Sequence, residues 1–230
     1  IFAKPFMKKL IETKDLRQVF GEKSVVGFFL APALMKLMKL DKINKLYDKV
    51  ADFQGRECLE AFLAEMRITY EIPSTDLANL PKEGPFITES NHAYGGLDGI
   101  ILMHLVSEER PDLKVIVNFL LSRIKPLENF FLPVNAFDKN VSSRSSIKGI
   151  RLAKESLQNG NPLGLFPAGE VSHIGPSGQV EDLPWHTPIV KFIQNAGVPV
   201  VPIYFGGHNS ARFMRRAKLH PMLQTASLPA

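Results

Sequence analysis

The sequence predicts an α/β fold, a mostly parallel central sheet flanked by helices, with an N-terminal helical region of membrane-associating character. The first observation is alternation. Short apolar runs at 85–90, 113–118, 131–136, 162–167 and 198–205 are separated by helix-like segments near 99–109, 119–128, 143–158 and 185–196. Strand and helix in turn are the pattern of a parallel sheet whose crossovers are helices. The second observation is a basic, helix-forming stretch ahead of residue 66. The third is a pair of glycine-bearing turns, each placed directly after a predicted strand.

Taken in order, residues 1–20 read as helix, with Phe2, Phe6, Leu10, Leu16 and Phe20 among Lys4, Lys8, Lys9, Lys14 and Arg17. The apolar run from Val25 to Met35 contains Pro32 and stops at Lys36. It falls short of the ~20 apolar residues a membrane span needs. Beyond it Leu37, Leu40, Ile43 and Leu46 interleave with Lys36, Lys39, Lys42 and Lys45. Two readings of that pattern stand: a helix lying in a membrane interface, or a surface helix whose apolar stripe packs on the protein core. Residues 56–66 read as a further helix, and 67–72 alternate as a strand does. Pro73 to Pro81 is a loop, with Asp76 and Asn79 as turn formers. A boundary near 66 divides a helical region, 1–66, from an α/β domain, 67–230. Within that domain the helix from 143 has Ser142 or Ser143 as its cap. It places Ile147, Ile150 and Leu157 inside and Lys148, Arg151 and Lys154 outside, and ends at Asn159-Gly160.

The chain has 230 residues, enough for one domain with a proper core, alone or with a helical appendage. A net charge of +5 and a pI of about 9.3 favour an anionic partner, such as a membrane surface or an acidic cofactor. The single cysteine, Cys58, excludes an internal disulfide framework and a cysteine zinc site, and a reducing compartment is its natural reading. The chain starts at Ile1 rather than Met, so no targeting signal is read from it.

The stretch Asn91-His92-Ala93-Tyr94-Gly95-Gly96-Leu97-Asp98-Gly99 carries the first candidate site residues. A strand precedes it and a buried helix follows it, a place where functional groups of α/β folds collect. A neutral imidazole takes a proton from a hydroxyl when a carboxylate holds its other nitrogen. Gly95 and Gly96 permit φ > 0, so the backbone can fold back and bring Asp98 to His92. The same residues also suit a purely structural reading, with Asp98 capping the helix and Asn91 capping the turn.

The second turn is Phe166-Pro167-Ala168-Gly169-Glu170-Val171-Ser172. Strand-end loops of a parallel sheet share one edge, so this turn can face His92. Its backbone N–H groups can meet an oxyanion, or it is an ordinary strand exit. The prolines in Val198-Pro-Val-Val-Pro202 suggest an edge strand or a strand end. His104 reads as a core or helix-surface residue, and His173 and His186 flank a Gly/Pro-rich loop near the site. No metal site is expected, nor a nucleic-acid partner. The chain has no P-loop, no Gly-x-Ser-x-Gly elbow and no Gly-x-Gly-x-x-Gly, which argues against nucleotidase, hydrolase and dinucleotide-binding classes.

Together the blocks Asn91-His92…Asp98-Gly99, Phe166 to Ser172 and Val198 to Pro202 resemble the lysophospholipid, or PlsC-type glycerolipid, acyltransferase family. The spacer Ala93–Leu97 is one residue longer than the family's usual one. Ala168 stands where the family has Glu, and Glu170 follows two later. Both departures resemble a subgroup first described as hemolysins, which includes bacterial enzymes that O-acylate lyso-aminolipids. Asp182 to Pro188 and Gly206 to Ser210 are similar to that subgroup too. The family's second block carries an Arg, whereas Leu132 to Lys139 has none.

The resemblance implies acyl transfer from acyl-CoA or acyl-carrier protein to a lysolipid hydroxyl, on a lyso-aminolipid or lysophosphatidic acid, in membrane lipid synthesis. No further cofactor is implied. It casts His92 as general base, Asp98 as its orienting carboxylate, and Asn135, Lys139, Phe166, Pro167, Gly169, Glu170 and Ser172 as substrate-binding residues. It implies a peripheral protein on the cytoplasmic face of the membrane, truncated at its C-terminus. A catalytically inactive lipid-binding protein and a thioesterase using the same pair are the alternatives.

Overall fold

A computed structural model describes residues 8–15, 30–33, 35, 36, 40–134 and 144–210. Most of residues 1–39, and the cap positions Ser142 and Ser143, lie outside the described residues. The first long helices are α1, Leu40–Val50, and α2, Gly55–Met66, followed by a short turn of helix, α3, Ser74–Leu77. Strand β1, Ile87–Ser90, leads into α4, Gly96–Val106, and then β2, Lys114–Asn118. Two 3-10 helices, Phe119–Arg123 and Lys125–Phe130, precede β3, Phe131–Val134. Helix α5, Arg144–Gln158, returns to β4, Leu163–Leu165. A small hairpin of β5, His173–Ile174, and β6, Val180–Glu181, comes next. Helix α6, Thr187–Asn195, and β7, Val200–Ile203, complete the described fold.

Five strands form one sheet in the order β3-β2-β4-β1-β7, and each pairing is parallel. The predicted mostly parallel α/β sheet is therefore present. Strand β1 lies between β4 and β7, with Ile87 opposite both Leu163 and Val200. Pro133 and Pro202 fall in β3 and β7, the two outer strands of this order, where a missing N–H costs no ladder bond.

Alternation along β1 sends Phe86 to one face and Ile87 to the other. Phe86 joins Val50, Cys58, Leu59, Phe62, Leu102 and Val115, so α1, α2 and α4 cover that face. Ile87 joins Ala153, Leu157, Leu163 and Leu165, under α5 and the partly buried Ile189, Phe192 and Ile193 of α6. Gly164 lets α4 come close, since a Cβ there would lie 2.9 Å from Leu102 Cδ2. Helix α4 is apolar nearly all round because it packs on both sides, against the sheet and against Leu63, Ile68 and Tyr70.

Two sequence expectations are corrected here. Residues 67–72 do not form a strand. Their alternation is real: Ile68 and Tyr70 turn inward against Leu97 and Ile101, while Arg67, Thr69 and Glu71 are exposed. The segment lies along helices rather than beside a strand, so it has period two without a ladder. Residues 119–128 are not one α-helix but two 3-10 turns. Pro126 has no N–H to give and its ring would clash with the carbonyl four residues back.

Helix α1 buries Leu40, Asn44, Tyr47 and Val50 and leaves Lys42, Lys45 and Lys49 exposed. Over this stretch the apolar stripe faces protein. Among the described residues no helix is long and apolar enough to cross a membrane. Cys58 on α2 is fully buried, its Sγ 3.6 Å from the Val50 carbonyl oxygen, and burial pushes its thiol up to about 11.

At the amino ends of the strands sits one buried cation, Arg110. It donates to the Gly84 carbonyl at 2.6 Å and the Gly160 carbonyl at 2.9 Å, ahead of β1 and β4 respectively. Two further bonds, at 2.9 and 2.7 Å, go to the Asp112 carboxylate. Those bonds hold the Asp112 carboxyl below its usual range. Arg110→Met is expected to destabilise the fold by about 3 kcal/mol in urea denaturation, because it strands two carbonyls and a carboxylate. The sign of the acid dependence follows. Asp112 adds stability that is complete above its unfolded value of about 4 and is lost as pH falls through its depressed folded value. The variant should therefore lose less stability than wild type on acidification below about pH 4. A loss under about 1 kcal/mol would mean that water replaces the clamp.

Candidate active site

Parallel pairing puts the carboxyl ends of β4, β1 and β7 side by side, so the loops 166–172, 91–95 and 204–210 meet at one edge of the sheet. Such an edge is where open α/β sheets bind ligands. After Ser90 the chain leaves the sheet and must turn at once into α4. Gly95 makes that turn at φ 76° and ψ −130°, a conformation suited to glycine. Gly96, which was expected to share this role, does not have positive φ.

The turn brings His92 Nδ1 within 3.1 Å of Asp98 Oδ2. The same oxygen accepts the backbone N–H groups of Tyr94 at 2.8 Å and Gly95 at 3.0 Å. Asp98 is fully buried in the first turn of α4. The structural and chemical readings of Asp98 therefore coincide: it ties back the helix start and it holds the imidazole. A carboxylate on Nδ1 selects the tautomer with its proton there, leaving the Nε2 lone pair to act as a base. The ring is partly buried and stacks on Phe166, with centroids 4.4 Å apart. Phe205 continues the apolar wall, 6.3 Å from Phe166.

Asn91 does not cap the turn. Its amide donates to the Phe205 carbonyl at 2.9 Å and accepts the Phe205 N–H at 2.7 Å, tying the β1 exit to the β7 exit. The 204–210 loop is also held by Asn209, which donates to the Ala93 carbonyl at 3.0 Å, and by Tyr94, which donates to the Gly206 carbonyl at 3.2 Å.

The 166–169 segment is a tight turn: the Gly169 N–H donates to the Phe166 carbonyl at 2.9 Å, with Gly169 at φ 69°. That bond occupies the Gly169 N–H and leaves the Ala168 and Glu170 N–H groups as the turn's candidate oxyanion donors. Pro167 and Ala168 are buried, while Gly169 and Glu170 are exposed. A side chain at 168 thus faces the interior, which suits Ala. His186 grips this turn. Its N–H donates to the Pro167 carbonyl at 3.1 Å, and its Nε2 would lie 2.9 Å from a Cβ on Gly169. His173 follows directly on this loop.

Ser172 is buried, its N–H donating to the His92 carbonyl at 2.9 Å and its hydroxyl donating to Asp182. Both polar groups are used inside the protein. Asp182 also accepts the His92 N–H at 3.2 Å. The resemblance grouped Asp182 with the run to Pro188, but no spacing in the sequence signalled its contact with His92. Asn135 and Lys139 lie outside the described residues. His104 is structural: the Tyr70 hydroxyl lies 2.7 Å from its Nδ1, and burial, then the nearby Arg56 guanidinium, push its imidazole below the usual value.

An imidazole held by a carboxylate, beside an apolar wall and a tight glycine turn, suits proton abstraction from a hydroxyl and stabilisation of a nascent oxyanion. A family model described as Acyltransferase matches residues 21–226. The chain belongs to this family. A lyso-glycine lipid O-acyltransferase of Bacteroides thetaiotaomicron is 30% identical over 213 residues, which is 92% of this chain and 74% of the relative. A lyso-glycine lipid O-acyltransferase of Phocaeicola vulgatus is 26% identical over 215 residues, 93% of this chain and 72% of the relative. The enzyme is an acyltransferase, and the family resemblance drawn from the three sequence blocks holds.

Gly95→Ala is expected to destabilise this acyltransferase by about 1–3 kcal/mol, because alanine is strained at that backbone geometry. The new Cβ would also press on Val171 Cγ2 at 3.0 Å. Thermal unfolding measures the loss. An unchanged Tm would show that the turn relaxes without strain.

Proposed function

We propose that the enzyme transfers a fatty acyl group from acyl-carrier protein or acyl-CoA to the hydroxyl of a lysolipid, with a lyso-glycine lipid as the acceptor. The observation that carries the mechanism is the 3.1 Å contact between His92 Nδ1 and Asp98 Oδ2. His92 Nε2 takes the proton of the acceptor hydroxyl, and that oxygen attacks the thioester carbonyl carbon. The oxyanion forms against the N–H groups of the 168–170 turn. Collapse breaks the C–S bond, and the imidazolium returns the proton to the departing thiolate. The reaction passes through no acyl-enzyme, which accords with a sequence lacking a serine elbow. The base supplies about 10²–10⁴-fold and an oxyanion donor about 10²–10³-fold.

The acceptor class is supported by the names of the two relatives and by the chain's own chemistry. The segment Leu132 to Lys139 has no Arg to clamp a phosphate in the bidentate manner, which favours a head group other than a phosphate. Lysolipid and product both reside in a bilayer. The exposed lysines of α1 and the overall positive charge suit peripheral contact with an anionic membrane surface on the cytoplasmic side.

The test is an acyl-transfer assay with labelled acyl-CoA and labelled acyl-carrier protein against lyso-glycine lipid, lysophosphatidic acid and other lysolipids. Diacylated glycine lipid is the expected product. His92→Ala should lower its formation by at least about 10²-fold, with circular dichroism unchanged. A fully active His92→Ala enzyme would end the proposal. Free fatty acid released without an acceptor would mark a thioesterase instead.

A further inference from the structure

A general base needs both its ring and its main chain held in place. Asp98 holds the ring of His92, but the ladder of β1 stops at Ser90, so the sheet does not hold the His92 backbone. We propose that Asp182 is a positioning residue for His92, fixing its main chain from the base of the β5–β6 hairpin. The proposal rests on the reading of His92 as general base.

The bonds form a closed circuit. The His92 N–H donates to Asp182 Oδ2 at 3.2 Å. The Ser172 hydroxyl donates to Asp182 Oδ1. The Ser172 N–H donates to the His92 carbonyl at 2.9 Å, closing the ring. Ser172 and Asp182 stand immediately outside the first hairpin pair, His173 opposite Glu181. Pairing of the hairpin therefore delivers the carboxylate to the point where the chain left the active-site edge. The circuit couples two catalytic elements, because Ser172 ends the turn that bears the candidate oxyanion donors.

The role is geometric rather than electrostatic. Both groups that Asp182 accepts from are neutral, and it touches the main chain of His92, not the ring. Asparagine can reproduce both contacts: its carbonyl oxygen accepts the His92 N–H, and its NH₂ donates to the Ser172 oxygen once that hydroxyl rotates. Alanine removes both acceptors and leaves the buried Ser172 hydroxyl unpaired.

The experiment is steady-state kinetics on lyso-glycine lipid with palmitoyl-CoA and palmitoyl-acyl-carrier protein, alongside His92→Ala. A misplacement near 1 Å costs up to about 10²-fold, so Asp182→Ala should lower kcat by about 10–100-fold. KM for the acyl donor should change less than about 3-fold, since the loss falls on the chemical step. Asp182→Asn should return kcat to within about 5-fold of wild type, and Ser172→Ala should fall between the two. Wild-type kcat in Asp182→Ala, a loss confined to KM, or an Asp182→Asn enzyme as slow as Asp182→Ala would each overturn the proposal. If Asp182→Ala does not fold, Ser172→Ala at wild-type kcat overturns it. An active His92→Ala enzyme would instead sink the underlying reading. An inactive one beside a wild-type Asp182→Ala would sink only the positioning role.

Discussion

Asp98 Oδ2 receives three N–H groups at once, from the His92 ring and from the Tyr94 and Gly95 backbone. Around that single oxygen the strand exit, the helix start and the orientation of the imidazole become one interaction. The carboxylate is fully buried, and its charge is met by N–H dipoles and by the positive end of α4 rather than by a cation. That distinction matters for chemistry. A carboxylate neutralised by arginine has little charge left to offer an imidazolium. One held by dipoles has no such cation competing with the ring for it.

The strand order explains why this interaction lies where it does. Strand β1 sits between β4 and β7, so the His92-bearing loop has a neighbour on each side. Phe166 and Ser172 approach from β4, and Phe205 and Asn209 from β7. The opposite edge carries a different load. There Arg110 ties the approach to β1 and to β4 together, at the end of the strands away from His92. The sheet thus separates the end clamped by Arg110 from the end that carries His92 and Asp98, with packed side chains on both faces between them.

Much of this was legible in the chain itself. The strands at 85–90 and 113–118 announced themselves through buried apolar residues, and His92 and Asp98 through a glycine turn between strand and helix. What failed did so for physical reasons. Residues 67–72 alternate because they line a helix, and periodicity reports which sides are wet, not whether a strand lies alongside. The 119–128 segment has a helical composition, but Pro126 denies it an α-helical bond. The stripe on 40–50 was ambiguous in principle, since one amphipathic pattern serves a core or a bilayer. Asp182 stood in a block that matched the subgroup, but its contacts were not legible, because its partners lie at Ser172 and His92 and only the folded hairpin joins them.

Cys58 has a practical consequence. It is the one cysteine in the sequence, it is sealed under the sheet, and burial pushes its thiol up to about 11. That raised value keeps the thiolate, the species that reacts, scarce at neutral pH. For thiol-directed labelling the native chain is thus close to silent. A cysteine introduced at the exposed hairpin tip, at Ser177 for example, would be the dominant reactive thiol, so a fluorophore or spin label could be placed beside the active-site edge without first rebuilding the interior.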